Sequence, residues 1–186
     1  MSRGLYIHIP FCRQKCRYCD FASLAGAEEL IAAYLSALDQ EAARHAGVAF
    51  DTLYIGGGTP SLLTAEQLEK LCSLVQRRFS PVYSFGESTL EANPESLTRE
   101  KLQLLKSAGL SRLSLGLQSF SDNTLRRIGR VHDVKTFLQA YDWARQSGFD
   151  NISVDLIAGL PGQSEAEFAD GLRRLVQLAP EHISVY

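Results

Sequence analysis

Three of the four cysteines fall within eight residues, Cys12-Arg-Gln-Lys-Cys16-Arg-Tyr-Cys19. A disulfide framework would need an oxidising compartment and usually a shorter chain, so thiols clustered this densely read as metal ligands. Three thiolates can hold three irons of a 4Fe–4S cubane and leave the fourth iron open to a small molecule. Zinc is the competing chemistry, because Cys16 and Cys19 form a C-x-x-C pair. A structural zinc site wants four ligands, commonly as two pairs, and the nearest further candidate is His8. Ligand count and spacing favour iron and sulfur over zinc. The fourth cysteine, Cys72, sits among Leu71, Leu74 and Val75 in a helical pattern and reads as a small buried hydrophobe.

A second constellation is Gly56-Gly57-Gly58-Thr59-Pro60, directly after an apolar strand-like run. Glycines let a ligand approach the backbone closely, although three glycines also suit a tight strand-to-helix turn. A third set is dispersed: Glu91 in Leu-Glu-Ala-Asn-Pro, Gln118 in Leu-Gly-Leu-Gln-Ser, Arg130 in Arg-Ile-Gly-Arg and Asp155 in Val-Asp-Leu-Ile. An acidic residue inside an apolar strand is costly unless it is paired, so Asp155 is either a buried structural hydrogen-bonding group or a site residue. Arg126, Arg127, Arg130 and His132 read as a basic patch, solvated or facing an acidic group. His45 reads as a solvent-facing helix residue and Trp143 as packed on the outside of the fold.

The elements that must position these residues alternate regularly. Strand patterns cover 4–9, 52–56, 87–92, 112–118, 151–157 and 182–186. Helical patterns cover 28–46, 64–79, 98–108, 134–147 and 164–178, with a shorter helix from near Ser121. Thr64 with Gln67 resembles a capping box, Thr98 with Lys101 is a weaker start, and Gly109 and Gly148 stand where C-terminal caps belong. Strands separated by helices pair in parallel through right-handed crossovers. Within the strands, Leu113, Leu115 and Leu117 alternate with Ser114, Gly116 and Gln118, and Ile152, Val154 and Leu156 with Ser153 and Asp155. One face is therefore apolar, for the helices, and the other polar. The expected fold is α/β: an incomplete (β/α)6 barrel of parallel strands whose polar inner wall lines a ligand cavity. Ligand sites of such folds gather at the C-terminal strand ends, where Glu91 and Gln118 fall.

The 186 residues suit one domain with a sizeable core. A net charge of −2 without a basic run argues against a nucleic-acid footprint. No apolar stretch approaches the ~20 residues of a membrane span, and the start lacks the apolar core of a signal peptide. A cytoplasmic protein is the expectation.

The cysteine spacing with an aromatic before the last cysteine, preceded by Tyr6-Ile-His-Ile-Pro-Phe, resembles the radical S-adenosylmethionine superfamily. It is closest to the branch of oxygen-independent coproporphyrinogen dehydrogenase and the HemW-type heme chaperones, and the likeness recurs along nearly the whole chain. The resemblance implies a cluster on Cys12, Cys16 and Cys19 whose free iron takes the methionyl amine and carboxylate of S-adenosylmethionine, and whose electron cleaves the sulfonium to a 5′-deoxyadenosyl radical. It implies that Gly57, Gly58 and Thr59 meet the amino-acid end of that cofactor. Tyr6, Glu91, Gln118, Arg130 and Asp155 would contact its methionyl and ribose groups, and Tyr18 its nucleotide. The implied partners are heme or a porphyrinogen, an electron donor and heme-accepting proteins. Within the branch, the decarboxylating enzymes carry a further cysteine two residues after the last ligand and a long N-terminal arm. Here Phe21 occupies that position and the first strand starts near Leu5, which favours the chaperone type over the enzyme. The last residues, His182 to Tyr186, fall inside the sixth strand, so the C-terminal domain implied by the resemblance is not in this sequence. A cluster-binding module that completes neither function is the third reading.

Overall fold

The computed structural model describes residues 2–79 and 84–186. In chain order its elements are β1 (Gly4–Ile9), β2 (Phe11–Cys12), β3 (Leu24–Ala25), α1 (Ile31–Ala43), β4 (Thr52–Gly57), α2 (Ala65–Arg78), β5 (Glu87–Ala92), α3 (Arg99–Ser107), β6 (Arg112–Gln118), α4 (Asp122–Arg127), α5 (Val134–Gln146), β7 (Ile152–Leu156), α6 (Glu165–Gln177) and β8 (His182–Val185). Six strands form one parallel sheet in the order β1-β4-β5-β6-β7-β8. Each long strand lies beside the previous one. Every right-handed crossover therefore turns the same way, and the helices all fall on one face. A doubly wound sheet would reverse its strand order and put helices on both faces. The barrel is open, with β1 and β8 as its edges.

The period-2 pattern decides which face the helices cover. Ile7, Ile9, Leu53, Ile55, Leu90, Leu113, Leu115, Ile152 and Val154 belong to one buried core with Leu68, Leu71, Leu102, Leu105 and Phe137 of the helices. Cys72 packs in that core as expected, its thiol pushed up to about 11 by burial. The helix ends also follow the sequence. Thr64 and Gln67 form a reciprocal capping box on α2, and Thr98 accepts from the Lys101 N–H on α3. Gly109 and Gly148 have φ of 99° and 85°. The following N–H groups of Leu110 and Phe149 close back onto Leu105 and Ala144 carbonyls, the bonds of a left-handed helix stop.

Two expectations need correction, and two short strands were not foreseen. The helix placed over 28–46 begins with a 3₁₀ turn, Glu28–Leu30, and ends at Ala43, leaving His45 exposed in the turn beyond it. The strands β2 and β3 were not legible, since two residues carry no periodicity. The basic patch does not form as drawn. The His132 side chain is fully buried, 3.3 Å from a Glu95 carboxylate oxygen, and Arg130 turns inward. Trp143 is half-buried against the core with Arg99 over its ring, as expected.

Leu115 is inaccessible to solvent at the centre of β6. Leu115→Ala should lower unfolding stability by about 3 kcal/mol, because the close-packed helix layer cannot collapse onto the space left. Denaturant titration would measure it.

Candidate functional site

The cysteine loop leaves the C-terminal end of β1 and is closed at its base by the short β2–β3 pair, where Phe11 aligns with Leu24 and Cys12 with Ala25. Backbone bonds from Leu24 to Pro10 (2.6 Å) and from Gly26 to Cys12 (3.3 Å) pin both ends together. His8 on the inner face of β1 reaches the Ala22 carbonyl at 2.8 Å. On its far side the loop is held by the segment after α4: the Arg17 N–H bonds the Ile128 carbonyl (2.9 Å), and Gln14 donates to the Gly129 carbonyl (3.1 Å). Cys12, Cys16 and Cys19 are free, partly exposed thiols that line one cavity of about 430 Å³. Among the described residues, no three His, Cys, Asp or Glu side chains close around a single ion.

Beside the loop, β4 ends in the glycine segment. The N–H groups of Gly58 and Thr59 bond the Ile9 and Phe11 carbonyls at 2.9 and 2.8 Å, laying this backbone directly against the cysteine loop. A Cβ on Gly58 would stand 2.8 Å from the Phe11 carbonyl oxygen and 2.9 Å from Cys12 Sγ, so glycine is required by close approach. Gly57 has φ of 119° with the His8 ring packed over it. Its N–H is already used, donating to Glu91 at 2.9 Å. The Thr59 hydroxyl lies 3.5 Å from Cys12 Sγ and accepts from Asn93 at 3.1 Å.

The remaining wall comes from the polar faces of β4 to β7. Glu91 also accepts from the Tyr54 hydroxyl at 2.8 Å, and burial together with this carboxylate raises the Tyr54 pKa. Gln118 ends β6 at φ of 71°, a left-handed conformation uncommon for a residue with a side chain, where the β6–β7 register slips. Strain of this kind concentrates at functional sites. Arg130 donates to the Gly116 carbonyl (2.6 Å) and to Asn93 (2.8 Å), and its other terminal nitrogen lies 3.5 Å from the Tyr18 hydroxyl and 3.8 Å from Cys16 Sγ. Burial raises the Tyr18 pKa, with the guanidinium opposing it. Asp155 receives a long 3.5 Å bond from Ser114, while its Oδ1 is buried without a partner, as is Arg130 Nε. Burial lifts the Asp155 pKa, and Glu91 adds to the effect.

Cys12, Cys16, Cys19, Tyr18, Gly57, Gly58, Thr59, Glu91, Gln118, Arg130 and Asp155 all line this cavity. Tyr6 shares the inner face but does not line it. Tyr6 is 55% exposed, bonded to His8 at 3.0 Å and stacked on Tyr54, through which it reaches Glu91. Asn93, which bridges Thr59 and Arg130, was missed, although its place two residues after Glu91 was a usable signal. Glu95 and His132, the buried pair behind Arg130, carried none. The donor set suits a mixed occupant. Three thiols could hold a thiophilic metal cluster, the glycine segment leaves room at Cys12, and two orphaned buried polar groups could meet a polar organic ligand of the size such cavities take.

The profile of the radical SAM superfamily matches residues 6–175. The chain belongs to the radical SAM superfamily. Its members use a 4Fe–4S cluster and S-adenosylmethionine. The chain is 43% identical to the heme chaperone HemW of Bacillus subtilis, over 99% of this chain and 50% of that protein. It is 38% identical to the oxygen-independent coproporphyrinogen-III oxidase-like protein HemZ of the same organism, over 98% of this chain and 38% of that one. Among solved structures, coproporphyrinogen III oxidase (HemN) of Escherichia coli superposes with a TM-score of 0.91 at 33% identity, covering 99% of this chain and 43% of that one. The chain thus spans about half the length, or less, of these relatives. Among the described residues, no helix is long and apolar enough to cross a membrane.

Asp155 offers a test of site strain. Its folded-state pKa is raised, so ionised Asp155 costs stability at neutral pH; the cost fades as pH falls through that raised pKa and is gone below the ordinary aspartate value. Asp155→Asn should stabilise the protein at pH 7 by roughly 1 kcal/mol. The gain should disappear near pH 4. Thermal melts of both proteins across this range would measure it.

Proposed function

We propose that the chain is a radical SAM core domain of the HemW type, serving the binding and delivery of heme in the cytoplasm. The carrying observation is the recurrence of heme chaperones HemW among the relatives, 36% to 43% identical over nearly the whole chain, beside HemZ at 38% and HemN at 33%. Phe21 supports it. It stands two residues after Cys19, 64% exposed at the cavity, where the decarboxylating enzymes of the resemblance carry a further cysteine. The second reading, an oxygen-independent coproporphyrinogen oxidase, is favoured by the TM-score of 0.91 to HemN.

In either reading Cys12, Cys16 and Cys19 would hold the 4Fe–4S cluster, and Gly57, Gly58, Thr59, Glu91, Gln118, Arg130 and Asp155 would hold S-adenosylmethionine, with Tyr18 beside the nucleotide and Tyr6 buttressing Tyr54. Bound there, the cluster supplies a single electron at low potential to the sulfonium. The chain's own contribution is positional. The glycine backbone keeps the wall against Cys12 thin enough for close approach, and Arg130 sets a fixed positive charge beside Cys16 and Tyr18. Asp155, partly buried with one carboxylate oxygen unpartnered, is placed to accept a hydrogen bond from a ligand hydroxyl. The polar inner wall gives the cofactor hydrogen-bonding partners in place of water.

Anaerobic reconstitution should load one 4Fe–4S cluster per chain. Cys12→Ala, Cys16→Ala and Cys19→Ala should each lose most of the iron, and Cys72→Ala none. Tight stoichiometric zinc without iron would overturn the assignment. The heme reading is tested on the full-length protein with reduced cluster and S-adenosylmethionine. Heme binding with no conversion of coproporphyrinogen is expected, while decarboxylation of both propionates would establish the enzyme instead.

A further inference from the structure

The dipeptide Asn93-Pro94 follows β5 and fixes more than a turn. A residue before proline is held out of the helical region, and Asn93 sits at φ −99° and ψ 139°. Its N–H donates to the Ser61 hydroxyl (3.0 Å), and its carbonyl accepts from the Ser96 hydroxyl (2.8 Å) and the Ser96 N–H (3.1 Å). Lys101 ties the two serines together, donating to both of their carbonyls at 2.9 Å. With its backbone so held, Asn93 presents its side chain to the cavity that it lines. Gly116 on β6 leaves the room for this. A Cβ there would stand 3.3 Å from Asn93 Oδ1 and 3.0 Å from an Arg130 terminal nitrogen.

Donor chemistry gives this network a direction. A guanidinium has no acceptor, so the 2.8 Å contact of Arg130 falls on Asn93 Oδ1 and turns the amide nitrogen toward Thr59. That nitrogen donates to the Thr59 hydroxyl oxygen at 3.1 Å. The hydroxyl proton is then left for Cys12 Sγ, 3.5 Å away. Thr59 is buried and its N–H is tied to the Phe11 carbonyl, which keeps water from competing for that proton. The other arm of Arg130 points at Cys16 Sγ from 3.8 Å. Two of the three loop sulfurs thus face donors, and the donor to Cys12 is aimed by Asn93.

We propose that Asn93 is a positioning residue that turns the Thr59 hydroxyl proton onto the Cys12 sulfur, and that this donor raises the reduction potential of the cluster carried there. The proposal rests on the cluster assignment made above. Reduction adds one electron from an external reductant, dithionite in the test below, and no covalent bond forms or breaks. The added charge spreads onto the sulfurs. A hydrogen-bond donor stabilises the more negative state more than the oxidised one, so it favours reduction.

The test is a dithionite redox titration of the full-length, reconstituted protein, followed by electron paramagnetic resonance. S-adenosylmethionine is left out, so that contacts of Thr59 to that cofactor do not contribute. Thr59→Val keeps the side-chain shape and removes the hydroxyl. It should make reduction about tenfold less favourable, a fall of about 59 mV for one electron. Thr59→Ser should keep most of the wild-type potential. Thr59→Ala makes the same deletion where Thr59→Val does not load iron. Asn93→Asp presents acceptors to both Arg130 and Thr59, so the Thr59 proton turns away from Cys12. Its added negative charge lowers the potential as well, and the double variant separates the two effects. Asn93→Asp should lower the potential by less in the Thr59→Val background than in the wild type. Pulsed resonance in deuterium oxide should show an exchangeable proton coupled to the cluster that Thr59→Val lacks. An unchanged potential in Thr59→Val, strictly additive shifts in the double variant, or the same exchangeable-proton signal with and without the hydroxyl would each overturn the proposal. Wild-type protein that takes up no iron would strike the cluster assignment itself, whereas a loaded cluster indifferent to these variants strikes only the donor.

Discussion

A ring of side-chain contacts around the cavity mouth links the cysteine loop to the ends of three strands. It runs from Cys12 to the Thr59 hydroxyl after β4, from Thr59 to Asn93 after β5, and from Asn93 to Arg130. Arg130 also grips the Gly116 carbonyl of β6, and its other arm returns to Cys16 and Tyr18. The guanidinium is the one member that reaches the loop and two strands at once. Burial works against its charge, but Tyr18, Cys16 and Glu95 together outweigh that effect and keep its pKa raised. A planar donor with fixed geometry suits this role better than a flexible ammonium would.

The ring explains why the site combines thin backbone with long polar side chains. Under the proposed assignment a cluster would sit beside Cys12 without displacing β4, and glycine at 58 leaves the room for it. The strand ends meanwhile must present hydrogen-bonding groups inward without collapsing on one another. The strained backbone of Gln118 and the partnerless atoms of Asp155 and Arg130 belong to that arrangement. Polar groups placed for a ligand are under-satisfied by the protein alone, and the core on the other side of the sheet carries the compensating stability.

The same loop serves two surfaces. It presents the thiols and Lys15 to the cavity, and exposes Arg13 and Arg17 to solvent. A short loop bounded by β2–β3 pairing and tied to the residues after α4 keeps the two sides close together.

Much of this protein was legible in its sequence. The period-2 alternation of Leu113 to Gln118 separated a helix-covered face from a polar one, because side chains on a strand must alternate. Thr64, Thr98, Gly109 and Gly148 marked helix ends, because capping chemistry is local. The cysteine spacing pointed to a thiolate site for the same reason: neighbours along a short loop cannot be far apart. What depends on separations of tens to more than a hundred residues was decided only by the tertiary structure. Arg126, Arg127, Arg130 and His132 are close in sequence and looked like one basic surface. Packing sent Arg130 and His132 inward, to Gly116 and Glu95, and left Arg126 and Arg127 outside beside Arg17. The bridging role of Asn93 and the displacement of Tyr6 from the cavity wall likewise depend on strand register and sheet curvature. A linear pattern records which face a residue occupies, whereas its partner across the sheet is set by how the strands pair and the crossovers close.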